Sequence, residues 1–146
     1  LAQAYNSRLL GDDELLRMGV AKAWTAWEGN CSKLRPSPTA LAKFTKAHNA
    51  LALARIETHY FVNKGFIDEN YILNNMQSIK DIPGRIVHGR YDMVCPLDNA
   101  LRLHQQWPNS ELVIVRDAGH SASEPGTVDA LIRVVADIAQ QLKSAS

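Results

Sequence analysis

Cysteine is scarce in this chain. Cys31 and Cys95 are the only two. They follow neither a metal-ligand spacing nor the dense framework of a small disulfide-bonded domain, so they read as free thiols in a reducing cytoplasm. Long apolar runs are missing as well, and none approaches the ~20 residues that a membrane-spanning helix needs. Neither sign of charge is in excess: 16 Lys and Arg stand against 15 Asp and Glu. That balance leaves no electrostatic footprint for DNA, RNA or an anionic membrane. The opening residues, LAQAYNSRLLGDDE, have neither the basic nor the apolar part of a signal peptide. They also lack an initiator Met, as a fragment would. No pair of histidines has the helical spacing of a zinc site with a base between them. Repeats and low-complexity tracts are absent. What remains is 146 residues, 46% of them hydrophobic, enough for one globular domain with a core.

The two halves of the chain differ in period. Residues 1 to about 78 read as helix. Asp12, Asp13 and Glu14 load a first helical turn with acids, and Leu16, Val20, Ala23 and Trp27 recur on one face as far as Gly29. Gly29 and Asn30 then supply a left-handed helix stop, which leaves Glu28 as the last helical side chain, an anion at the negative end of the dipole. After the loop NCSKLRPSP, Ser37 caps and Pro38 opens a second helix, expected to run to about Gly65. A shorter helix is expected in ENYILNNMQSI.

From DIPGRIVHGRYD onward the pattern changes to strand, loop, helix, strand, loop, helix. The strands are Arg85–His88 and Leu112–Val115; the helices are Leu97–Trp107 and Thr127–Leu142. Such alternation predicts an α/β fold with parallel strands. In these folds reactive groups gather in the loops beyond the carboxyl ends of strands, and here those loops carry Asp92 and His120.

An acid and a histidine on neighbouring loops are placed to hydrogen-bond, the acid orienting the imidazole. The plainer reading makes Asp92 a helix cap and His120 a polar loop residue. Their order, each after a strand, matches the last two members of the Ser…Asp…His triad of α/β-hydrolases. The nucleophile is missing. No G-x-S-x-G turn occurs, and Ser121 and Ser123 lie on the wrong side of the histidine in chain order. Cys95 reads as a small packed residue and His88 as a group packing beneath the site. His48, His59 and His104 read as surface or pairing groups. Asp98 and Asp117 are the reserve candidates for the acid.

Four segments together, AWTAWEG, ALARIETHYF, VHGRYDMVCP and AGHSASEPG, resemble the proline iminopeptidases, serine peptidases of the α/β-hydrolase class. The resemblance runs over nearly the whole chain. It implies the C-terminal portion of the fold: a partial helical cap at 1–78, then the last two strands and helices of the core at 79–146. It implies an enzyme that releases an N-terminal proline from peptides through an acyl-serine, without metal or cofactor. Asp92 and His120, 28 residues apart, take the triad positions. Glu28 and Glu57 take the positions that hold the free amino end, with Trp27 and Tyr60 among the aromatics around the proline ring. Two carboxylates and flat apolar surfaces suit a secondary ammonium on a ring.

The chain lacks the nucleophilic serine and is expected to be inactive alone, and an unpaired strand edge invites self-association. Other readings remain open: a different capped hydrolase, such as an esterase or epoxide hydrolase, or a non-catalytic helical interaction module. An upstream serine elbow in the open reading frame discriminates among them.

Overall fold

The computed structural model describes residues 1–35, 38, 41, 42 and 45–144. Among these lie six α-helices and a two-stranded sheet: α1 (Ala2–Leu9), α2 (Glu14–Cys31), α3 (Ala47–Val62), α4 (Tyr71–Asn74), β1 (Gly84–Gly89), α5 (Leu97–Gln106), β2 (Ser110–Val115) and α6 (Pro125–Ser144). No described helix is long and apolar enough to cross a membrane. The chain forms two compact units: Leu1–Asn30 with Arg35–Tyr71, and Cys31–Leu34 with Ile72–Ser146.

The first unit is helical. Its core is Leu9, Ala21, Trp24, Ala50 and Ala54, with Tyr5, Val20 and Leu51 packed against it. Three of these five are alanines, so helices approach closely and the large groups, Leu9 and Trp24, fill what remains. Asp13 accepts a hydrogen bond from the Leu16 N–H at 3.0 Å and so caps α2. At the other end of α1, the Arg55 Nε donates to the Leu9 carbonyl at 3.1 Å, satisfying an orphan acceptor where the helix dipole favours a cation. Two buried threonines close their own hydrogen bonds within the helices, Thr25 to the Ala21 carbonyl and Thr58 to that of Ala54.

Three helix expectations are corrected. Gly29 does not end α2, which continues to Cys31. Gly29 is buried in helical conformation, and Asn30 turns its Nδ2 back onto the Ala26 carbonyl at 2.8 Å. Glu28 therefore lies inside the last turn instead of closing it. The buried face of α2 is also not the expected one. Ala21, Trp24, Thr25 and Gly29 are inside, whereas Leu16 is 48% and Trp27 56% exposed. The inside positions at 21, 25 and 29 are small residues four apart, on one side of the helix with Trp24. Leu15, Leu16, Val20 and Ala23 line an open groove of about 530 Å³ instead. Finally, α3 begins at Ala47, after Lys46 in extended conformation (φ −58°, ψ 129°). The expected cap at Ser37 lies outside the described residues. The helix ends at Val62, and Lys64, Gly65 and Phe66 then turn the chain with φ of 53°, 67° and 60°.

The second unit holds the expected parallel pair. β1 and β2 lie in register from Gly84 opposite Ser110 to Gly89 opposite Val115, joined through α5. Trp107 locks the start of this layer: its Nε1 donates to the Ile82 carbonyl at 2.9 Å. A Cβ on Gly84 would come within 2.4 Å of its ring. His104 pairs through Nδ1 with the Ser110 hydroxyl at 2.8 Å. On α6, Ile132, Val135 and Leu142 are 63–65% exposed.

Within the helical core, Leu9 is fully buried and its neighbour Leu10 is 61% exposed. Leu9→Ala should cost about 2–5 kcal/mol and Leu10→Ala no more than about 0.5 kcal/mol, both read from urea denaturation. Equal losses at the two positions would show that the core is not centred on Leu9.

Candidate active site

The two reactive loops are stitched together before any side chain is considered. Beyond the strands, the Arg90 N–H donates to the Val115 carbonyl at 2.9 Å and the Tyr91 N–H to that of Ala118 at 3.0 Å. The crossing is tight enough to demand glycine. A Cβ on Gly89 would stand 1.9 Å from the Gly119 carbonyl oxygen and 2.8 Å from that of Ala118. Asp92 and His120 are thus delivered to each other by backbone.

Asp92 divides its two oxygens. Oδ1 accepts the N–H groups of Val94 at 2.9 Å and Cys95 at 2.8 Å, shaping the turn that leads to α5. Oδ2 faces the His120 Nδ1 at 3.0 Å. The capping role and the histidine-orienting role are both present, one on each oxygen. The Asp92 side chain is only 5% exposed, against 41% for that of His120. Burial pushes the Asp92 carboxyl up, but the hydrogen bonds from Cys95, His120 and Val94 and the attraction of the imidazole together outweigh it. They hold the carboxyl below its ordinary value.

An ionised carboxylate only accepts. The proton of neutral His120 therefore sits on Nδ1, and Nε2 keeps a lone pair available to take a proton from a nucleophile. His88 completes the arrangement from below. Its Nε2 donates to the Cys95 carbonyl at 2.9 Å and lies 3.6 Å from the Asp92 Oδ2. Cys95 is exposed and not packed; the turn uses its backbone, one group for Asp92 and one for His88.

Sequence reasoning missed Glu124. This carboxylate is 7% exposed. It accepts the Gly119 N–H at 2.6 Å on Oε2 and the Leu34 N–H at 2.9 Å on Oε1. The sequence signal was its place in the AGHSASEPG segment that carries the resemblance, just before Pro125, where an acid also suits an ordinary helix start.

In the helical unit, Glu57 accepts a hydrogen bond of 2.6 Å from the Trp24 indole N–H. The Trp24 ring lies 6.0 Å from those of Trp27 and Phe61 and 5.0 Å from that of Tyr5. Glu28 follows Trp24 by four residues, one turn along the same side of α2. Glu57, Trp27 and the turn bearing Glu28 thus gather around Trp24. Tyr60 does otherwise: its ring meets Phe66 at 5.5 Å and His59 at 6.0 Å. Among the described residues, no three His, Cys, Asp or Glu side chains converge as metal ligands would.

A short parallel sheet carrying an acid–histidine pair on successive loops defines part of an α/β-hydrolase. Residues 68–137 match the family model described as TAP-like protein, of the α/β-hydrolase class. A solved esterase from Exiguobacterium antarcticum superposes with a TM-score of 0.55 over 97% of this chain and 47% of its own, at 19% identity, a likeness of fold alone.

The chain is a homologue of the proline iminopeptidases. It is 52% identical to that of Xanthomonas citri over 91% of this chain and 43% of the relative. Identity is 48% with the Arabidopsis thaliana protein, over 86% of this chain and 33% of the relative. With that of Neisseria gonorrhoeae it is 40%, over 97% and 44%. The chain therefore spans less than half the length of the relatives it matches.

The lowered ionisation of Asp92 has a measurable consequence. A carboxyl that ionises at lower pH in the folded state contributes stability that is present above its unfolded value, here 3.8, and is lost as pH falls through the folded value. Asp92→Asn should be less stable than wild type at neutral pH, and the gap should narrow below pH 3.8. Urea denaturation across pH 2–7 reads it. A gap of constant size would mean the Asp92 charge is not what the loop depends on.

Proposed function

We propose that the full-length protein is a serine-type aminopeptidase releasing N-terminal proline, to which this chain contributes the triad acid and base and the amine-binding carboxylates. The supporting observation is the Asp92–His120 pair at 3.0 Å, in a chain whose relatives are named proline iminopeptidase. The nucleophilic serine is supplied by sequence outside these residues, since no G-x-S-x-G turn occurs within them.

In this reading His120 Nε2 takes the serine proton as the hydroxyl attacks the proline carbonyl. It then returns that proton to the departing amine, and repeats the cycle with water to free the acyl group. Asp92 holds the Nδ1 proton and stabilises the imidazolium between the two transfers. The substrate's secondary ammonium is a cation with two N–H donors. Glu57 already has one oxygen engaged by Trp24, which orients the carboxylate and leaves its other lone pairs to accept from the ammonium. Glu28 supplies the second acceptor, and Trp27 offers an exposed ring face for the pyrrolidine. Tyr60 serves this pocket only if its ring leaves Phe66.

Steady-state kinetics on a proline arylamide test the assignment in the full-length enzyme. Asp92→Asn should lower kcat by roughly 10⁴-fold, with KM little changed. Glu28→Gln and Glu57→Gln should each raise KM and lower kcat/KM by about 10-fold, the scale of one charge-assisted hydrogen bond. They should also narrow the preference for the free amine over its N-acetylated form. If both variants keep the wild-type preference, the carboxylates do not read the ammonium and the aminopeptidase reading fails. The 146-residue chain by itself should release no proline, because the acyl-enzyme route needs the serine. It should self-associate in analytical ultracentrifugation through its unpaired strand edge.

A further inference from the structure

The His120 loop makes no helix or strand of its own between Val115 and Pro125, yet a general base must be held to a fraction of an ångström. Glu124 is placed to do this. Its carboxylate is buried and both oxygens are engaged by backbone N–H groups. Gly119, adjacent to His120, donates to Oε2 at 2.6 Å, and Leu34 donates to Oε1 at 2.9 Å. A third bond closes the bracket, from the Ser121 N–H on the other side of His120 to the Ser32 carbonyl at 2.7 Å. The residues before and after His120 are therefore both tied to one segment, Ser32–Leu34, the first of them through Glu124. The fit is close: a Cβ on Gly119 would lie 2.9 Å from the Leu34 nitrogen.

We propose that Glu124 is a positioning residue for the reaction, holding the His120 loop so that Nδ1 stays on Asp92 and Nε2 faces the nucleophile. This rests on reading His120 as the general base. Buried carboxylates that serve stability alone occur, but here the partners are the N–H beside the base and a strut that also holds the base's other neighbour. Two acceptor oxygens are required, because each N–H needs one. Glu124→Gln keeps the shape and leaves one N–H facing an amide NH₂, so one of the two ties must open.

The test uses the full-length protein and two readouts. One is kcat and KM on a proline arylamide, per folded molecule. The other is the downfield proton resonance of the His120 Nδ1–H shared with Asp92, seen by NMR in protein with ¹⁵N-labelled histidine. In Glu124→Gln, kcat should fall by up to about 100-fold, the scale of an ångström-sized misplacement, with KM little changed and the resonance broadened or lost. Glu124→Asp keeps the charge but reaches only one N–H group, and it provides the same comparison if the Gln variant does not fold. Wild-type kcat with an intact resonance overturns the proposal, as does a loss confined to thermal stability. If the wild-type enzyme releases no proline, the functional reading is wrong, and the resonance alone still decides whether Glu124 holds His120.

Discussion

The second unit depends on one carboxylate being charged where water hardly reaches it. Asp92 is nearly enclosed, and an ionised group in that position is destabilising unless its lone pairs are filled. Two backbone N–H groups and one imidazole fill them. The same contacts that make the charge tolerable shape the turn into α5 and set the tautomer of His120. Stability and reactivity share these hydrogen bonds, so a change at Asp92 is felt by both. That coupling makes the site rigid without any secondary structure of its own.

The same device recurs. Glu124 spends both oxygens on N–H groups from distant parts of the chain, and Glu57 accepts from a buried indole. In each case a fixed donor meets a carboxylate that is at least partly withdrawn from solvent. Each also differs in what is left over. Glu124 has both oxygens occupied and serves as a clamp. Asp92 gives one oxygen to backbone and one to a histidine, which makes it a clamp that also orients. Glu57 accepts a single indole N–H, which orients it without filling its lone pairs.

Legibility in the sequence followed the range of the interactions. The parallel strands and their helices were readable because alternation, β-branched runs and turn residues are local signals. Asp92 and His120 were readable for a related reason: a strand end is a local feature, and chemistry collects there. Gly29 was misread because a glycine that ends a helix and one buried within its last turn look alike in sequence. The buried face of α2 failed similarly, since Leu16 and Trp27 are more apolar than Thr25 and Gly29, yet the smaller residues are the ones inside. Glu124 stood in the AGHSASEPG segment, but its role was not legible because its partner Leu34 lies 90 residues away. Tyr60 was grouped with Glu57 by helical spacing, but the left-handed turn after α3 brings Phe66 back to claim its ring.

The exposed apolar surface is the last element to place. Leu15 and Leu16 on α2 and Ile132, Val135 and Leu142 on α6 are between 48% and 88% exposed, more than such residues sustain over contiguous faces of an ordinary monomer. Beside Leu9, Trp24 and Met76, many of the buried groups are small or polar: alanines, the back-bonded Thr25 and Thr58, and the clamped carboxylate Glu124. The chain thus carries a well-determined polar skeleton and a poorly covered apolar surface. A sequence selected as a self-sufficient domain would show the reverse economy, with its largest aliphatics inside. This distribution fits residues that fold against further protein, and it agrees with the match to less than half the length of the homologues. The acid–histidine pair does not depend on those faces. The ties that hold it run among residues 32–34 and 84–124, so its geometry is complete before anything covers those faces.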